Sequence, residues 1–208
     1  MTLTIFTINN NNSKLMNISR ETIEIMRDFV YKSDTEMCGN LFTKNSTSNE
    51  IILYHMKKGD KTEYSPGQYR EMCEYEKITS ILFHSHPISS YSYPSVEDIL
   101  LVIKKHDIVK RSIIATKWGI WDIQNTKESN IYSSGCKEII YEYLKYFLDR
   151  IGLHTKNTSS SITDKSRDLI DEDLNVINDC IKRIKRVTHV NIDLHLWKDI
   201  DDGFILVK

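Results

Sequence analysis

The sequence is poor in features that would assign it to a compartment or a class of partner. Its 208 residues include only four cysteines, Cys38, Cys73, Cys136 and Cys180, scattered and without a CxxC pair. That excludes a disulfide framework and points to reduced thiols in a cytoplasmic, intracellular setting. Charge of one sign is missing as well. Lys and Arg total 28 against 29 Asp and Glu, a formal net charge of -1, which gives no electrostatic reason to expect a nucleic-acid partner. No apolar run approaches the length of a bilayer span, and no basic region followed by a hydrophobic segment opens the chain, so neither a membrane nor a secretory signal is expected. No internal repeat is visible. What is present is 40% hydrophobic and 27% charged residues, enough for a core and a soluble surface, in a length that suits one domain or one domain with a sizeable appendage.

The most informative stretch runs from Phe83-His84-Ser85-His86-Pro87 to Pro94-Ser95-Val96-Glu97-Asp98. The apolar run Ile78 to Phe83 reads as a buried strand, and alternate side chains on a strand share a face, so His84 and His86 can address one point. Val96, Ile99, Leu100 and Ile103 recur at helical spacing, which places Ser95 and Asp98 at the opening of a helix. Two imidazoles and a carboxylate are enough to hold a catalytic zinc with the fourth position left to water; a structural zinc is more often closed by Cys, and none is close in sequence. Ser95-x-x-Asp98 is also nearly a capping box, and the two roles are compatible, because a carboxylate in a first helical turn is favoured in the ionised form a ligand needs.

His84-Ser85-His86-Pro87 with Ser95-x-x-Asp98 resembles the signature of the JAMM/MPN+ (Mov34/JAB) zinc metalloproteases, many of which cleave ubiquitin or ubiquitin-like modifiers from amines. That family also carries an upstream glutamate in a Glu-x-x-Gly-x-Leu-like setting, and Glu36-Met37-Cys38-Gly39-Asn40-Leu41-Phe42 matches it. The resemblance covers roughly residues 1–125. One departure is a segment between His86 and Ser95 that is one residue longer than the commonest spacing, an insertion a polar loop accommodates cheaply. The resemblance implies an MPN/JAMM-like (cytidine-deaminase-like) mixed sheet flanked by helices, with Zn2+ held by His84, His86 and Asp98. It further implies Glu36 as general base, Ser95 as oxyanion donor, and conjugates of ubiquitin or a ubiquitin-like protein as substrate. The alternatives are a JAMM-fold peptidase acting on another small carrier protein or peptide, and a non-catalytic MPN-type interaction scaffold. Tyr91-Ser92-Tyr93, next to the site, suits either substrate contact or plain loop packing. Trp118 and Trp121 read as core or sheet-surface residues.

Along the rest of the chain, Thr2 to Ile8 reads as a strand, and Ile18, Ile23, Met26, Phe29 and Val30 as one face of a helix capped by Ser19. Cys38 to Phe42 and Ile51 to Met56 form an expected hairpin, and Pro66-Gly67 opens an expected helical stretch between Tyr64 and Lys77. Ile113 to Ala115 and Ile120 to Ile123 read as strands. Residues 1–134 are thus expected to form the catalytic domain. From 135 to 208 an extension is expected that docks on the core or takes a protein partner. It comprises a helix with Ile139, Ile140, Tyr143, Leu144, Phe147 and Leu148 inward, a linker at Lys156 to Ser161, a helix from Ser166 to Arg186, an alternating strand Val190 to Leu196, and a closing hairpin through Asp201-Asp202-Gly203 to Phe204–Val207.

Overall fold

Ser19 stops one element and starts another. Its hydroxyl accepts from the Thr22 amide at 3.3 Å, capping helix α1, Arg20–Lys32. The residues before it, Leu15–Ile18, are strand β1. Ile18, expected on the apolar face of the helix, is therefore the end of a strand, because the cap fixes extended backbone immediately before the first turn. The computed structural model describes residues 15–43, 50–58, 76–105, 107–126, 137–157, 169–200 and 204–207. The expected strand at Thr2 to Ile8 and the expected helix between Tyr64 and Lys77 lie outside them up to residue 75; Glu76 and Lys77 already belong to a strand.

After α1 come β2 (Met37–Thr43), β3 (Glu50–Lys58), β4 (Glu76–Ser85), α2 (Val96–Lys104), β5 (Arg111–Thr116), β6 (Gly119–Gln124), α3 (Lys137–Asn157), α4 (Asp171–Thr188), β7 (Asn191–Leu196), the single turn α5 (Trp197–Ile200) and β8 (Phe204–Val207). Among the described residues the strands make one mixed sheet in the order β7-β6-β5-β4-β2-β3-β1-β8. β4 and β5 are parallel and joined through α2, whereas β2 pairs antiparallel with both β3 and β4. The architecture is mixed α/β, a sheet flanked by helices.

Both faces of the sheet are covered, which is why β5 is buried at every position, its polar residues included. Ile81, Phe83, Ile113, Ala115 and Ile120 pack with Ile23, Met26 and Val30 of α1 on one face. Leu82, Ile114, Trp121, Ile123 and Ile192 meet α2, α3 and α4 on the other. Residues beyond 135 take part in both: β7 pairs with β6, β8 pairs with β1, and α3 and α4 close the second core. Ile139, expected inward on α3, is 72% exposed, because Ile140, Leu144, Phe147, Leu148 and Ile151 already fill the buried stripe.

The expected C-terminal hairpin is not formed, for β7 and β8 lie on opposite edges of the sheet. The chain turns inward after β7 instead of reversing: Trp197 and Ile200 are buried against the α1 face, and the Trp197 indole donates to the Thr116 carbonyl at 2.9 Å. β8 then covers the edge that β1 would expose. The link from Leu196 to Phe204 reaches at most about 28 Å, less than the roughly 34 Å across eight flat strands. The sheet must therefore curl around α1.

Candidate metal centre

Strand periodicity decides where His84 points. Ile81 and Phe83 face α1, so His84, like Leu82, faces α2. β4 ends at Ser85, and the chain stays in register one residue further because the His86 amide donates to the Ala115 carbonyl at 2.8 Å. The loop that follows is tied at its start by Ile88 N donating to Val30 O at 3.0 Å. It returns to Ser95, the N-cap of α2, and Asp98 occupies the first turn of that helix. The carboxyl end of a strand and the amino end of the following helix thereby meet, a common place for ligands in α/β sheets.

His84, His86 and Asp98 converge. Each offers a ligand atom within 4.8 Å of the others; the two histidines are buried and Asp98 is partly so. His84 Nε2 is 3.1 Å from Asp98 Oδ1 and His86 Nε2 is 3.5 Å from Asp98 Oδ2. Glu36 comes in from the neighbouring strand. Met37 pairs with Ser85, so Glu36 is opposite His86, and its Oε1 lies 3.9 Å from His86 Nε2. All four residues expected from the sequence, and Ser95 as helix cap, are brought to one place.

The donor set suits a cation. Burial favours a protonated Asp98, but the two imidazoles, His84 foremost, outweigh it and hold the carboxyl well below the usual carboxylate range. Burial would likewise push the His86 ring down, yet Asp98, then Glu36 and the Tyr91 carbonyl, raise it above its ordinary value. A field that draws a proton to His86 also draws a metal, and two imidazole nitrogens with a carboxylate match the N/O ligands of catalytic zinc. The three residues could hold a metal ion.

Ser95 makes a complete capping box. Its amide donates to Asp98 Oδ2 at 2.7 Å, its hydroxyl donates to the same oxygen at 2.8 Å, and the Asp98 amide returns a bond to Ser95 Oγ at 3.1 Å. The hydroxyl proton is thus directed at the Asp98 carboxylate.

Sequence reasoning passed over three supports of this site. Ser85, the residue between the histidines, is fully buried, and its hydroxyl accepts from the Met37 amide at 3.1 Å, fixing the start of β2 beside Glu36. Trp121, read as core or sheet surface, is buried, and its indole also donates to the Ser92 carbonyl at 2.9 Å. Gly152 of α3 packs on the Tyr93 ring; a lone glycine inside a helical pattern is a usable signal of such close approach. No protein-family model matches the chain, and neither does any curated protein. Among the described residues no helix is long and apolar enough to cross a membrane, and Cys38 and Cys180 are buried.

Proposed function

We propose that this chain is a zinc-dependent isopeptidase of JAMM type, hydrolysing the (iso)peptide bond between ubiquitin or a ubiquitin-like modifier and an amine. The observation that carries the reading is the convergence of His84, His86 and Asp98 within 4.8 Å, with the Glu36 carboxylate 3.9 Å from His86. The match of these residues to the JAMM signature supplies the reaction class and substrate, and the mixed sheet agrees with an MPN-like fold.

Zinc bound by these residues would lower the pKa of a water it holds toward neutrality and polarise the scissile carbonyl. Glu36, partly exposed at the mouth of the site, takes the proton of the attacking water and passes it to the leaving lysine amine. Asp98 and the two histidines hold the site. The Ser95 hydroxyl turns from Asp98 toward the oxyanion as it develops, while the Ser95 amide keeps Asp98 in place. No side chain forms a covalent intermediate.

Incubation with a panel of modifier conjugates tests the reading, comparing the untreated protein, a chelated sample and Glu36→Gln, alongside metal analysis. About one zinc per chain, lost in His84→Ala, with cleavage abolished by chelation, is the expected result. A folded protein that takes up no zinc and cleaves nothing would leave an interaction scaffold.

A further inference from the structure

We infer that Gly152 of α3, through the Tyr93 ring seated on it, is a positioning residue that holds His86 in the tautomer required of a metal ligand. The inference rests on the metal-site reading above and extends it to the C-terminal helix.

Three consecutive residues of the loop between His86 and Ser95 are pinned at three places. The Tyr91 carbonyl lies 3.1 Å from His86 Nδ1. A carbonyl has no hydrogen to give, so this bond requires the proton on Nδ1, and Nε2, which faces Asp98 and Glu36, is then the nitrogen a metal would use. The Ser92 carbonyl accepts from the Trp121 indole at 2.9 Å. The hydroxyl end of the Tyr93 ring lies against Gly152. A Cβ there would run into the Tyr93 hydroxyl, with Cζ at 3.0 Å and Cε1 at 3.2 Å, so any larger residue shifts the ring. Burial, then Tyr91 and Asp149, push that hydroxyl up to about 12, so it remains neutral. Tyr91 and Tyr93 also touch, their ring centroids 5.4 Å apart. Tyr91 is two residues from Tyr93, and its bond to His86 has only a few tenths of an ångström before it fails as a hydrogen bond. Displacing the ring therefore moves the carbonyl that fixes the imidazole. Loss of such an outer partner lowers metal affinity by about 10- to 100-fold.

The test measures zinc affinity of the full chain by competition with a chromophoric chelator. It also measures the His86 tautomer in metal-free protein, by long-range proton–nitrogen correlation at alkaline pH where the ring is neutral. Gly152→Ala is expected to weaken zinc by tenfold or more and to lose the Nδ1–H tautomer, with the melting temperature preserved because alanine suits a helix better than glycine. The exposed neighbour Leu153→Ala is expected to change neither. Tyr93→Ala is expected to cost as much as Gly152→Ala, and the pair no more than either alone, whereas a general weakening of α3 would add. Zinc affinity within twofold of the unmodified protein in Gly152→Ala, retention of the tautomer, or additive effects would each overturn the inference. Failure of the unmodified protein to bind zinc would sink the metal reading instead, and the tautomer comparison still decides the role of Gly152.

Discussion

Ser95 and Asp98 exchange three hydrogen bonds within one helical turn, and the carboxylate that receives two of them also lies against both histidines. One pair of residues therefore caps α2 and orients a carboxylate that could hold a metal ion. The two roles separate on mutation. Ser95→Ala removes the hydroxyl but leaves the backbone amide on Asp98, so zinc is retained, while loss of the cap costs about 1 kcal/mol of stability. If the hydroxyl also serves the oxyanion, turnover falls a further 10²- to 10³-fold. Thermal melting and kinetics on the same sample decide it: a kcat within threefold of the unmodified protein reduces Ser95 to a cap.

Glu36→Gln is close to isosteric and leaves the three ligands untouched. It is expected to keep one zinc per chain and to lower turnover by roughly 10²- to 10⁴-fold, the usual contribution of a positioned acid–base group. Metal content by mass spectrometry and a conjugate-cleavage rate check the two halves separately. Full turnover in the variant removes Glu36 from the mechanism.

The parts of the site that were legible are the ones whose geometry is local. An HxH pair at a strand end and Ser-x-x-Asp at a helix start are set by the two periodicities alone, and β5 and β6 followed from their apolar runs. What was not legible depends on distant packing. Nothing near Trp197 signals that it will enter the core and send β8 to the far edge, because that choice is made by Thr116 and α1. Ile139 satisfies the helical period as well as Ile140 does, and only the completed stripe beneath α3 selects between them. The pinning of the Tyr91–Tyr93 loop by Trp121 and Gly152 joins segments tens of residues apart in sequence.

Metal should bind the folded state and not the unfolded one, so it must stabilise the protein. At a free zinc concentration of 100 times Kd the gain is about 2.7 kcal/mol, or roughly 5–10 °C in Tm for a chain of this size. A chelator is expected to remove that increment, and Asp98→Asn to lose it while keeping the acceptor oxygen for the Ser95 amide. Scanning fluorimetry with and without chelator reads the difference directly. Equal shifts in Asp98→Asn and the unmodified protein would take Asp98 out of the ligand set.

Arg111 and Asp122 test the sheet itself, away from the metal centre. They are diagonal neighbours on β5 and β6, both buried, with Nε 2.9 Å from Oδ1 yet too poorly aligned to form a hydrogen bond. Burial raises the Asp122 carboxyl despite Arg111, with His195 lowering it and Asp193 raising it from β7. Desolvation thus exceeds the attraction, the usual balance for a buried pair. Removing one partner, as in Arg111→Met, leaves the other charge buried and should cost about 3–5 kcal/mol, whereas Arg111→Met with Asp122→Leu should be neutral or stabilising. The sign with pH follows. The folded state binds the Asp122 proton more tightly than the unfolded chain, whose carboxyl titrates near 3.9. Its contribution is therefore fully present below about that pH and is lost as pH rises through the raised folded value. Urea midpoints between about pH 4 and 7 should show this fall in the unmodified protein and a flatter profile in the double variant. An equally steep fall in both would assign the slope to other groups.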